Sequence, residues 1–106
     1  MMKYVHTGMP TSQEKKWAGY AAEIGVHFTN PDTDNYGIEW LKFDADSPMP
    51  KMVQTNPHTA FQVDDLDAAL VGKKILLPPT TLALFPGLTI AFIDHDGAII
   101  ELSQMR

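Results

Sequence analysis

The stretch PHTAFQVDDLDAALVG, residues 57–72, changes its side-chain period midway, as the start of a structural module that passes from strand to helix would. His58, Ala60 and Gln62 alternate with Thr59, Phe61 and Val63, the period-two signature of a strand. Asp64 or Asp65 then stands as N-cap before Leu66, Ala69 and Leu70, which share one helical side, and Gly72 follows as a stop. A strand that runs straight into a helix is the start of an α+β unit, and the rest of the chain is read against it.

Upstream, Lys3 to Gly8 alternates as a strand, with Tyr4 and His6 on one face and Val5 and Thr7 on the other. Pro10 breaks it. TSQE at 11–14 reads as a capping box, and Trp17, Tyr20, Ala21 and Ile24 recur at helical spacing, so a helix is expected over 12–24 with Gly25 as its stop. Gly19 costs that helix about 1 kcal/mol relative to alanine. GVHFT at 25–29 is a short β-prone run, NPDTDNYG at 30–37 a polar turn, and Ile38 to Phe43 a strand with Glu39, Leu41 and Phe43 on one face. Residues 44–57 hold three prolines and read as a linker with a short strand near Met52 to Gln54.

Beyond the opening stretch, Lys74 to Leu77 reads as a strand stopped by Pro78 and Pro79. Leu88 to Ile93, the turn DHDG at 94–97 and Ala98 to Ser103 then make a hairpin in which Ile99 and Glu101 face one way and Ile100 and Leu102 the other.

The two halves follow one order. VHTGMPTSQE at 5–14 parallels PHTAFQVDDL at 57–66, and GIEWLKF at 37–43 parallels IIELSQM at 99–105. Each half is a His-Thr strand, a helix, further strands and an Ile-Glu strand, which matches His6 with His58 and Glu39 with Glu101. A single histidine or glutamate in a strand is usually solvated or hydrogen-bonded. Recurrence of both types at matching places singles these four out. Two imidazoles and two carboxylates without a thiolate suit a borderline divalent ion such as Ni, Zn, Fe(II), Mn or Co, with positions left for water or substrate. Such a site polarises a substrate oxygen while a glutamate moves a proton.

Composition narrows the partners. At 106 residues and 44% hydrophobic content the chain buries one modest core, so a single domain over 1–106 is expected, with one half at 1–50 and the other at 56–106. There is no cysteine, which removes disulfides and thiolate chemistry and accords with a cytoplasmic setting. No apolar run approaches the roughly 20 residues that span a bilayer. A formal charge of -5 and the absence of a basic cluster argue against nucleic acid. With one arginine, Arg106, the chain has few forked cations to clamp phosphates or carboxylates, so a highly anionic substrate would have to rely on lysine or backbone donors.

HTAFQVDDLDAAL, the PG at 86–87, AFIDHDG and IIEL together resemble the second module of the vicinal oxygen chelate superfamily, which includes glyoxalase I, extradiol dioxygenases and the bleomycin-resistance proteins. The resemblance covers 57–105 closely and 1–43 loosely. It implies two βαβββ modules in a curved mixed sheet that cups a divalent metal, with ligands on the first and last strands of each module. His6, Glu39, His58 and Glu101 match those places. The interval from His6 to Glu39 is shorter than that from His58 to Glu101, so the first module is compressed and Glu39 is the ligand in question; without it a two-histidine, one-carboxylate triad remains.

Three activities are compatible with the resemblance. A glyoxalase-type lyase or isomerase would use Glu39 or Glu101 as the proton carrier. A binding module of bleomycin-resistance type would use the four residues as pocket walls, and an Fe(II) extradiol dioxygenase would use the triad. The family also implies a homodimer. Tyr4, Leu41, Phe43, Gln62 and Ser103 share nominal faces with the ligands and are the expected pocket lining, whereas Trp40, Phe61 and Phe92 are expected to pack in the core against helices. His27 and His95 are expected at the surface, and Asp64, Asp65 and Asp67 serve the start of the helix.

Overall fold

The computed structural model describes residues 2–105. In chain order the elements are β1 (Met2–Pro10), β2 (Gly19–Ala21), β3 (Val26–Phe28), β4 (Ile38–Phe43), α1 (Lys51–Thr55), β5 (His58–Val63), α2 (Leu66–Leu70), β6 (Lys74–Thr81), β7 (Leu88–His95) and β8 (Ala98–Met105). Single 3-10 turns occupy Ala22–Ile24 and Pro31–Thr33. The strands form one eight-stranded mixed sheet, ordered β2-β3-β4-β1-β5-β8-β7-β6, curled into a half-barrel. Among the described residues no helix is long and apolar enough to cross a membrane.

Pairing repeats about the centre. β1 and β5 meet antiparallel, β1 pairs parallel with β4, and β5 pairs parallel with β8. Two antiparallel steps then lead outward on each side.

The helix expected over 12–24 is absent. Thr11 does accept from the Gln13 N–H at 3.1 Å, but Glu14 turns to Lys42 and to the Trp17 indole instead of back to the cap. Residues 19–21 pair with β3, and Gly25, at φ 59, closes the turn between them. Gly19 lies against the Phe28 ring, where a Cβ would come within 2.6 Å of it. The helical spacing of apolar groups is therefore divided between two surfaces. Ala21 and Ile24 go inward, while Trp17 and Tyr20 pack on His27 with centroids 5.8 and 4.4 Å away. Strand pairing at this position outweighs a segment already weakened by glycine.

Two further expectations change. Near Met52 to Gln54 the chain is helical, as α1, because Val53 seats fully buried beside Met49 and the Gln54 amide donates to the Met49 carbonyl at 2.8 Å. β6 runs on through Pro78 and Pro79 to Thr81. It is an edge strand, paired only with β7, and its register slips between Leu77 and Thr80, where the prolines have no N–H to contribute. The β7–β8 turn is tight. Asp96 and Gly97 have φ 51 and 92, the pair of positive values a two-residue hairpin turn requires, and Asp94 accepts from the Gly97 N–H.

Apolar side chains divide between the two faces of the sheet. Leu41, Ile90, Phe92 and Ile99 join Met49 and Val53 in the cluster inside the curl. Outside, α2 sets Leu66 and Leu70 against Val63, Ala91, Ile93 and Leu102, with Asp65 capping the helix by accepting from the Ala68 N–H. Trp40 is half-buried beneath the Lys15 ammonium, 4.5 Å from its ring, and belongs to neither apolar cluster. Phe61 joins the α2 cluster as expected.

Candidate metal centre

Strand register brings the four singled-out residues together. Across the sheet, Glu39 on β4, Gly8 on β1, His58 on β5 and Ile99 on β8 lie abreast. In the next row stand His6 on β1, Ala60 on β5, Glu101 on β8 and Phe92 on β7. Within each row a residue with almost no side chain separates two with long ones. Gly8 opens the space into which the His58 ring lies, and Ala60 lets His6 and Glu101 reach each other over a methyl group.

The contacts follow from those rows. His58 Nε2 is 3.0 Å from Glu101 Oε1, and His6 Nε2 is 3.5 Å from the same oxygen and 3.2 Å from Glu39 Oε1. His6, His58 and Glu101 each offer a donor atom, all within 4.8 Å of one another. Glu39 lies at the edge of this trio and is half-buried, whereas the other three are buried. The rings of His6 and His58 stand at 70° to each other, and Phe92 meets His58 edge-on at 4.9 Å.

Opposed forces set the protonation. Burial by itself would hold His6 neutral, but Glu101 and Glu39 beside it prevail and raise it from 6.5 to about 10. Burial would likewise raise Glu101, yet His58 and His6 outweigh it and bring the carboxyl from 4.5 down to about 2. His6 Nε2 nevertheless has no hydrogen-bond partner. The two carboxylate oxygens are near enough to stabilise its charge but do not complete a bond to it, and His58 Nδ1 is unpartnered as well.

A donor set of two imidazoles and a carboxylate, aimed at one point and holding a buried nitrogen without a hydrogen bond, can hold a divalent metal.

The cluster forms one end of a cavity of about 560 Å³ on the inner face of the sheet. Leu41 and Phe43 line it. Phe92 does too, which corrects its expected place in a helix-packed core: it pairs with Glu101 across the hairpin and so shares its face. Tyr4, Gln62 and Ser103 are not among the lining residues. For Tyr4 the reason is a bulge. Tyr4 pairs with Phe61 and His6 with Ala60, leaving Val5 as the extra residue, so simple alternation fails between them and Tyr4 packs edge-on to Phe61. Ser103 is buried with its hydroxyl 3.4 Å from the Phe61 carbonyl, and Gln62 pairs beside it. His27 is half-buried near Asp44, and His95 is exposed at the end of β7, beside the hairpin turn.

Gly8 and Ala60 are the residues that sequence reasoning passed over. A Cβ on Gly8 would lie 2.1 Å from His58 Cε1. Their signal is present in the repeat itself, as the small third residue of His6-Thr7-Gly8 and His58-Thr59-Ala60.

No known family pattern and no curated protein matches this chain. Among solved structures it is similar to a hypothetical protein, BH1468 from Bacillus halodurans C-125, at 20% identity and a TM-score of 0.64, over 99% of this chain and 95% of that one. That likeness concerns the fold.

Proposed function

We propose that this protein is a metal-dependent lyase or isomerase of glyoxalase type, acting on a small oxygen-bearing molecule held in the inner cavity. The observation that carries the reading is the position of Glu39. His6, His58 and Glu101 converge on one point, while the Glu39 carboxylate stands beside them, 3.2 Å from His6 Nε2 and outside the converging trio. On this reading the chain consists of paired modules, the first having a hairpin where the second has a helix, and each contributes one histidine and one glutamate.

A divalent ion held by the trio would supply Lewis acidity to adjacent carbonyl or hydroxyl oxygens and acidify the neighbouring C–H. The protein's own contribution is positional. Glu39, the more accessible carboxylate, takes that proton and returns it to the next atom, while the apolar walls keep bulk water from competing. Phe92 fixes the plane of the His58 ring, and Glu101, buried and anionic, stays a ligand.

A second reading, an Fe(II) dioxygenase, is favoured by the composition of the trio, since two histidines and one carboxylate are the set that leaves open positions on non-haem iron. Metal content after purification without chelator, for wild type and His58→Ala, tests both readings. Near-stoichiometric metal in wild type and its loss in the variant are expected. Wild type that takes up none of Ni, Zn, Fe, Mn or Co would leave a metal-free binding module. Oxygen consumption with catechols under Fe(II) separates the two metal readings.

A further inference from the structure

The lining of the cavity indicates what is attached to the chelating end of the ligand. Beyond the histidine and glutamate cluster it carries one charged residue, Asp32, exposed in the turn after Asn30, and no lysine or arginine among the described residues. Apolar groups dominate the remainder. Phe28 and Phe85 approach with centroids 5.6 Å apart, Phe43 and Met49 form the wall, and Leu84 stands half in solvent beside Phe85 at the mouth.

This part of the cavity is preformed. The loop that carries Leu84 and Phe85 is tied back where the Ala83 N–H donates to Glu23 Oε2 at 2.6 Å, and backbone bonds from Phe85 to Leu82 and from Leu88 to Phe85 hold its turns. A volume of about 560 Å³ is far larger than an ion and its waters need, and it falls within the roughly 300–1,000 Å³ range of sites for drug-sized ligands.

We infer that the ligand of this site is a bidentate oxygen chelator with an uncharged aromatic or branched apolar tail, the tail running from the His58 end to the Leu84 and Phe85 lip, and that anionic tails are excluded. The inference rests on the metal reading above. An anionic tail would lose its hydration among these side chains, meet no cation, and approach Asp32, whereas an apolar tail removes Leu84 and Phe85 from water.

Isothermal titration of the Co²⁺-loaded full chain tests this with benzohydroxamates that chelate alike and differ only at the para position, isopropyl or carboxylate. The isopropyl compound should bind about ten-fold or more tightly than the carboxylate. Leu84→Lys, which places a cation at the lip, should narrow the gap by strengthening carboxylate binding. Co²⁺ uptake with equal affinities, or a preference for the carboxylate, overturns the tail inference and leaves the metal reading standing. A gap unaffected by Leu84→Lys overturns the claim that the tail reaches the lip. Failure to take up Co²⁺ overturns the tail inference and the metal reading together.

Discussion

The imidazole of His58 occupies the volume that a side chain on Gly8 would fill. The two residues are register partners across β1 and β5, and a Cβ on Gly8 would lie 2.1 to 2.6 Å from three atoms of the ring. The ring is wedged between strands and cannot yield as the tip of a flexible chain would. Gly8→Ala should therefore turn His58 away, cost about 1–3 kcal/mol of stability as overpacking does, and lower metal affinity by about ten-fold or more. Calorimetric metal titration beside a thermal melt checks both effects. An alanine variant that binds metal as wild type does would show that the ring position is not fixed by the glycine.

Charge changes should separate the two glutamates. Glu101 touches both histidines and Glu39 only one. Glu101→Gln is expected to lose metal, and Glu39→Gln to retain it while losing turnover by about 10²-fold or more, the usual size of a general-base contribution. Metal analysis and solvent deuterium exchange into a bound ketone substrate analogue read out the two effects.

The metal-free protein should be stable over a broad pH plateau with a fall at each end. His6 is raised in the folded state to about 10, so its stabilising contribution is complete below its unfolded value near 6.5 and is lost as pH rises through 10. Glu101 is depressed to about 2, so its contribution is present above about 4.5 and is lost as pH falls towards 2. Melting temperature against pH in chelator checks this, and His6→Ala should remove the alkaline limb. Because metal must displace the proton on His6, binding at neutral pH should release protons, seen as a binding enthalpy that depends on the buffer.

Stability and site should be separable on the outer face. Leu66, on the buried side of α2, is fully buried against Val63, Ala91, Ile93 and Leu102, away from the cavity. Leu66→Ala is expected to cost about 2–5 kcal/mol in denaturant unfolding with metal affinity unchanged in the folded protein.

Much of this was legible in the sequence wherever the side-chain period was undisturbed. β4 and the β7–β8 hairpin present Glu39, Leu41 and Glu101 on the faces that alternation assigns, and the repeated His-Thr strands placed His6 and His58. Tyr4 was misplaced because the bulge at Val5 adds one residue to the count, a feature that only pairing with β5 reveals. Residues 12–24 misled because helical spacing of Trp17, Tyr20, Ala21 and Ile24 also suits a short hairpin that sends two of them in and two out, and the deciding term, pairing with β3, is not local.

The antiparallel meeting of β1 and β5 gives the centre no single owner. His6 comes from one half and His58 and Glu101 from the other, joined where Gly8 faces His58 and Ala60 faces His6. A slip of one residue along that line would turn His6 to the outer face and put Thr7, a poor ligand, in its place. An ion held there would act as a vernier on the alignment of the two halves: its binding would report, to within a single residue, whether they have been assembled in step.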